Sequence, residues 1–344
     1  MLITGYTVLM VFLSRVPTVH PKKPLFIGIL ANTLLSTVPG LSGAGPDPQG
    51  SLLVPILDAE LIWQGKISSS DATPNTPTGC PTPASITRAV IDLTGIPCLF
   101  INAGLVHEPT IPVLDMKGQA GTDPRLSPAV PDACRLYENG RRIGTLLSAY
   151  DLLVIGECVP GGTTTAHSVL KFLGYDAKVS GASVQSRNPI KEEIFSSVYR
   201  RCGKITEGSL TVVRETGDPM MAVAAGLLEG FQGPAFLAGG TQMLAVAAVV
   251  KALGRQVPEV VTTVYVRDDP HASCDKTARD IGVPITYVDP DFGNIAHSGL
   301  KRYCIGEVKE GMGCGGAMML GSLMGFTPDE ITGSIVSFVT GYSP

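Results

Sequence analysis

Short runs of apolar, often β-branched residues recur along the chain at 25–31, 98–103, 151–157, 235–239, 260–266 and 284–288. Each is apolar almost throughout and is bounded by glycine, proline or polar residues, the pattern of strands buried on both faces. Between them, 85–93, 131–148, 164–173, 219–229 and 241–253 read as helices. Strands alternating with helices predict an α/β fold, a Rossmann-like parallel sheet with helices on both faces. A small helical subdomain built from the chain ends is expected beside it. Ligands of such sheets sit at the carboxyl ends of the strands, so the loops there carry the functional reading.

Three segments depart from the alternation. Residues 1–24 contain an apolar patch at 7–13 without a cationic stretch before it or a convincing cleavage site after it, and read as a leader or N-terminal arm. Residues 39–82, inside a nucleotide-binding core at 25–300, are rich in Gly, Pro, Ser and Thr and read as a loop-rich insertion, either a substrate lid or a plain surface excursion. Residues 301–344 form a C-terminal helical segment that begins with a glycine-rich loop.

Composition narrows the class. With 44% hydrophobic and 16% charged residues there is material for a large core. A formal charge of −4, without a basic run, argues against nucleic acid as partner. The apolar patch at 7–13 falls far short of the ~20 residues a spanning helix needs, which argues against a membrane partner. Eight cysteines without a CxxC pair fit reduced thiols in a cytoplasmic protein. The five histidines, His20, His107, His167, His271 and His297, lie in no metal-ligand spacing, so no metal is expected.

The sharpest local signal is VIGECVPGGTTTA, residues 154–166: a strand ends at Glu157, then Gly161 and Gly162 open into Thr163, Thr164, Thr165 and a helix. Glycines admit close backbone approach, and the helix start offers N–H groups and a positive dipole end, the ingredients of a phosphate cradle. A tight turn with threonine caps is the plainer alternative. AFLAGGTQ repeats the logic at Gly239, Gly240 and Thr241, and Gly217 and Asp218 in TGDP are placed to face the same crevice. The third loop, GEVKEGMGCGGA, sets Glu310 beside open glycines, where a half-buried carboxylate acquires a raised pKa and serves as a general base. Its plainer reading is a helix entry with solvated Glu307 and Lys309. The chain lacks a GxSxG elbow, and no GxGxxG follows the first strand, which disfavours a hydrolase and a Rossmann dehydrogenase.

These loops resemble the nicotinate-nucleotide:dimethylbenzimidazole phosphoribosyltransferase family. GECVPGGTTTA is similar to that family's GE-x-x-x-GNTTTA, and KEGMGCGGA to its late GEGTGA. The intervening TGDPMMAVAAGLLEGFQGPAFLAGGTQ is similar in layout. The likeness spans about residues 95–325 and is closest to the archaeal and cyanobacterial branch, in which NAGL follows an early strand. Gly162 stands where the family has asparagine and Met312 where it has threonine.

The resemblance implies a transferase, a pentosyl-type glycosyltransferase of cobalamin biosynthesis. It would move phosphoribose from nicotinate mononucleotide to an aromatic base, benzimidazole-type or purine, giving an α-linked nucleotide for the cobamide lower ligand. It implies a cytoplasmic homodimer with small-molecule substrates and without cofactor or magnesium, because pyrophosphate is not the leaving group. By motif, Glu310 matches the catalytic base and Glu157 the glutamate before the phosphate loop. The stretch from Gly161 to Thr165 matches the mononucleotide turn, and Asn102, Gly104, Gly311 and Gly313 are the expected base pocket. A regulator that binds nucleotide without turnover is the alternative.

Overall fold

The computed structural model describes residues 12–181 and 188–342. The six apolar runs and one short edge strand that they did not include, β3, form one seven-stranded sheet: β1 (Pro24–Ala31), β2 (Cys98–Gly104), β3 (Leu114–Asp115), β4 (Leu152–Cys158), β5 (Ala235–Ala238), β6 (Glu259–Thr263) and β7 (Ile285–Val288). The order is β3-β2-β1-β4-β5-β6-β7, and every adjacent pair is parallel. Chain order reverses between β1 and β4, so the loops leaving these two strands diverge and open a crevice at their carboxyl ends.

Helices cover both faces. In chain order they are α1 (Val54–Gln64), α2 (Pro83–Thr94), α3 (Ala133–Leu146), α4 (Gly162–Phe172), α5 (Asn188–Cys202), α6 (Ser209–Thr216), α7 (Pro219–Gly230), α8 (Thr241–Ala252), α9 (Val264–Arg267), α10 (Cys274–Ile281), α11 (Cys314–Leu323) and α12 (Pro328–Thr340). Strand residues alternate between two cores, as a period of two requires. Leu25, Ile27, Leu153, Ile155 and Leu237 join the core under α3, α4, α7 and α8. Phe26, Val154, Phe236 and Ala238 join the one under α2, α11 and α12.

Helix ends follow local chemistry. Asp218 caps α7, its side chain accepting from Met221 N, with Pro219 at the first helical position. Thr327 and Glu330 close a capping box on α12. Helices α3 and α7 meet almost backbone to backbone. A methyl group added at Gly226 would lie 2.0 Å from Tyr137 O, and at Gly140 2.4 Å from Val223 O. The paired spacings Gly140–Gly144 and Gly226–Gly230 place all four glycines on the contact stripe.

Two expectations change. The run at 260–266 is a strand only to Thr263; the rest turns into α9 once the chain passes the sheet's carboxyl edge, tertiary position overriding β-propensity. The stretch 39–82 is not loop alone: α1 lies within it and buries Ile56, Ala59, Leu61 and Ile62. Residues 1–11 of the expected arm lie outside the described residues. Phe12 and Leu13 are buried beside β7, with Ser14 N donating to Tyr287 O at 2.8 Å and Asp289 N to Phe12 O at 2.8 Å. Among the described residues, no helix is long and apolar enough to cross a membrane.

Candidate functional site

The crevice at the strand ends is a cleft of about 720 Å3 whose wall includes Glu157, Gly161, Thr163, Thr241, Glu310 and Gly311. Three of the loops singled out in the sequence therefore meet in one cavity.

Glu157 is the penultimate residue of β4 and is buried. Its Oε1 accepts from Gln242 Nε2 at 3.0 Å and its Oε2 from Val159 N at 3.0 Å. Burial, then the charges of Asp218 and Glu310, push its pKa up to about 8. Glu310 keeps part of its surface on the cleft and accepts from Gly311 N at 3.2 Å and Gly315 N at 3.3 Å. Burial raises it to about 7 against these hydrogen bonds. The two acids flank the Gly239–Gly240 turn: a methyl at Gly239 would stand 3.6 Å from Glu157 Oε1, and one at Gly240 4.0 Å from Glu310 Cβ. Neither Glu157 nor Glu310 forms an ion pair among the described residues.

The loop carrying Glu310 is held by backbone contacts on both sides. Met312 N donates to Glu157 O at 3.0 Å, and Met312 O accepts from Thr87 Oγ1 at 3.0 Å. Met312 has φ 48° and Gly313 φ 64°, a left-handed pair that reverses the chain into α11. Gly313 does not line the cleft: a methyl there would lie 2.9 Å from Gly156 Cα, and one at Gly316 2.3 Å from Ala238 Cβ. The glycines past Gly311 thus serve close packing of α11 on the sheet rather than a planar ligand.

The GGTTT turn divides similarly. Gly161, at φ 81°, precedes α4. Gly162 N and Thr164 N are spent on Val159 O and Gly161 O, at 2.8 and 2.9 Å, leaving Thr163 at the cleft wall. Thr164 is fully buried behind it, and Thr165 Oγ1 donates to Asp218 Oδ2 at 2.6 Å. Asp218, raised to about 6 by burial, thus stands behind the site, and Gly217 packs on Val213; neither reaches the cavity wall. Gly239 is likewise set back from the wall, whereas Gly240 is part of it.

The expected base-pocket residues Asn102 and Gly104 are also outside the wall. Asn102 Oδ1 accepts from Leu105 N at 3.0 Å, and Gly104 is pressed to Gln119 O, 2.3 Å from where its methyl would be. Both shape the β2 turn instead.

Several polar wall residues were not singled out in the sequence, among them Lys309, Lys191, Asp58 and Gln242. Lys309 is buried rather than solvated; Nζ donates to Gly181 O at 2.8 Å and pairs with Asp269 at 3.2 Å. Lys191 of α5 is buried with Nζ 3.5 Å from Val179 O. Thr163 Oγ1 and Lys191 Nζ converge on Gly181, 3.6 and 3.7 Å from its methyl position. Two lysines, one of them paired with Asp269, and a helix start thus surround one end of the cleft, a setting for an anion. Asp58 of α1 and Gln242 of α8 complete the set. Glu307, by contrast, is bound by Arg302, Thr76 and Thr78 and anchors the loop over the cleft. Among the described residues, no group of three or more His, Cys, Asp or Glu side chains is arranged to hold a metal ion.

Against known proteins, no family model matches the chain. It is 41% identical over 317 residues to the UPF0284 protein of Pyrococcus furiosus, covering 90% of this chain and 96% of that one. The chain belongs to the UPF0284 family. Further UPF0284 relatives are those of Methanosarcina acetivorans, 41% identical over 331 residues, with 92% of this chain and 95% of the relative covered, and Sulfurisphaera tokodaii, 38% over 321, with 91% and 92% covered. All three sources are archaea, in keeping with the branch whose motifs the sequence resembles.

Among solved structures, this UPF0284 chain shares its fold with a nicotinate-nucleotide-dimethylbenzimidazole phosphoribosyltransferase from Thermus thermophilus. The TM-score is 0.59 at 16% identity, over 91% of this chain and 83% of that one. A second structure, CobT from the same organism, gives 0.60 at 17%, over 90% and 83%. The departure at Gly162 has a local cause in the UPF0284 chain. A methyl there would lie 1.8 Å from Gln242 Oε1, so the Gln242 amide fills the space a side chain at 162 would need.

Proposed function

We propose that this protein is a phosphoribosyltransferase that moves phosphoribose from nicotinate mononucleotide to an aromatic base, giving the α-linked nucleotide of a cobamide lower ligand. The observation that carries the reading is the pairing of two unneutralised carboxyls, Glu157 and Glu310, with a cation-lined helix start in one cleft. The phosphate occupies the end formed by Gly161, Thr163, Lys191 and Lys309, where N–H groups and ammonium charge converge on it. The cationic pyridinium ring then faces the two acids, and its charge favours their ionised forms.

The chemistry is a displacement at the anomeric carbon. The bond from C1′ to the pyridinium nitrogen breaks and its electron pair returns to the ring, which leaves as nicotinate. A bond from C1′ to a ring nitrogen of the acceptor forms, and the acceptor's N–H proton passes to Glu310. Positioning of donor and acceptor on opposite faces of the ribose supplies most of the acceleration. Glu157 stabilises positive charge developing on the ribose. Asp218 and Thr165 position the phosphate turn from behind.

Glu310→Gln tests the assignment. The variant keeps nicotinate mononucleotide binding, measured by calorimetry, and loses about 10²–10⁴-fold in turnover with benzimidazole. Undiminished turnover would remove Glu310 from the role of base. Binding without turnover in the wild-type chain would favour a nucleotide-binding regulator.

A further inference from the structure

Asp58 is a carboxylate in the cleft wall that the reaction outlined above does not use. It projects from α1, in a stretch where the sequence predicts loops. Its Oδ1 accepts from Thr82 Oγ1 at 2.9 Å, and among the described residues its Oδ2 receives only the Cys158 thiol, a weak donor, at 3.6 Å. A carboxylate accommodates about four hydrogen bonds, and no ion pair among the described residues includes Asp58. Accepting capacity is therefore left over, facing a cavity.

Its neighbours fix where it stands relative to the chemistry. Cys158 follows Glu157 directly in the chain. On the other side Thr82 is followed by Pro83, whose Cγ lies 3.3 Å from the methyl position of Gly311, the residue after Glu310. Asp58 thus connects to Glu157 through Cys158 and to the Glu310 loop through Thr82 and Pro83, and it shares the cleft wall with the apolar residues Leu57, Ile67, Pro74 and Pro83. A flat two-ring base with its nucleophilic nitrogen at Glu310 and its far edge at Asp58 would lie among those apolar residues.

We propose that Asp58 selects the acceptor: it takes a hydrogen bond from an N–H or O–H on the far edge of the base. The substrate is then a heteroaromatic base carrying an amino or hydroxyl group there, in preference to one carrying only methyl groups. This rests on the phosphoribosyltransferase reading. Burial raises Asp58 to about 6, so near neutral pH it is mainly ionised and acts as an acceptor. A buried acceptor left unpaired by a methylated base carries a desolvation cost, and sites built to hydrogen-bond a substrate N–H or O–H discriminate more strongly than apolar pockets do.

The test measures kcat/KM with nicotinate mononucleotide for four acceptors of one ring: benzimidazole, 5,6-dimethylbenzimidazole, 5-hydroxybenzimidazole and 5-aminobenzimidazole. The expected wild-type order places the hydroxy or amino base at least ~10-fold above the dimethyl base. Asp58→Ala should collapse that ratio toward unity and Asp58→Asn should reduce it. A ratio taken within one preparation is insensitive to partial loss of folded protein. A wild-type preference for the dimethyl base, or a ratio unchanged in both variants, would overturn the role of Asp58 while leaving the transferase intact. No nicotinate release with any base would instead remove the transferase reading and this one with it.

Discussion

At the scale of single residues, the cleft is defined by acids that fold at an electrostatic cost. Glu157 and Glu310 titrate at about 8 and 7 in the folded chain, above their ordinary value of 4.5. The folded chain therefore holds protons that the unfolded chain releases across that interval. Their contribution is intact below the ordinary carboxylate range and is lost as pH rises through about 7 to 8. Glu157→Gln removes part of this dependence. Urea unfolding should show the variant gaining stability relative to wild type at pH ~8.5 compared with pH ~5. An identical pH dependence in both proteins would contradict the burial argument. A site that retains such groups at a stability cost is the usual signature of function rather than of packing.

The same two residues show what the sequence discloses and what it hides. Glu157 and Glu310 are legible because each adjoins a strand end or glycine run within a few positions. Lys191 and Asp58 are not, because each sits alone in a helix whose sequence says nothing about the cleft; Gln242 ends the AFLAGGTQ segment, but its bond to Glu157 spans 85 residues of chain. Lys309 was visible, but its burial depends on Asp269 and Gly181, more than 30 residues away in the chain. Pairings of that kind exist only once the sheet has formed.

At the scale of elements, glycine acts mainly through close approach. The run after Glu310 reads as a ligand surface, yet Gly313 and Gly316 press α11 onto Gly156 and Ala238 of the sheet. That packing aims Glu310 at the cavity. The α3–α7 contact follows the same rule, with its glycines spaced four apart on both helices. Gly226→Ala places a methyl 2.0 Å from Tyr137 O, so the helices must separate. The expected loss is about 1–3 kcal/mol of unfolding free energy, read from the denaturant midpoint. An unchanged midpoint would mean that the helices do not pack this closely. Six strands were legible because buried parallel strands are apolar on both faces; the two-residue edge strand β3, half-buried at Leu114 and exposed at Asp115, carries no such run. Helix α1 escaped because a Gly/Pro-rich setting masks its apolar stripe.

At the scale of the whole molecule, the strand order explains why these loops share a cavity. Glu157 leaves β4 beside the point where chain order reverses, the Gly239–Gly240 turn leaves the adjacent β5, and the Glu310 loop crosses back over both. Residues separated by about half the chain thus meet where a parallel sheet places its ligands. The central claim is that this meeting transfers phosphoribose. The direct measurement is chromatographic: purified protein with nicotinate mononucleotide, with and without an aromatic base, followed for free nicotinate and for a new nucleotide. Phosphoribosyl transfer gives nicotinate and nucleotide in equal amounts, only when base is present. Neither product with any base, from folded protein that binds the mononucleotide, would contradict it.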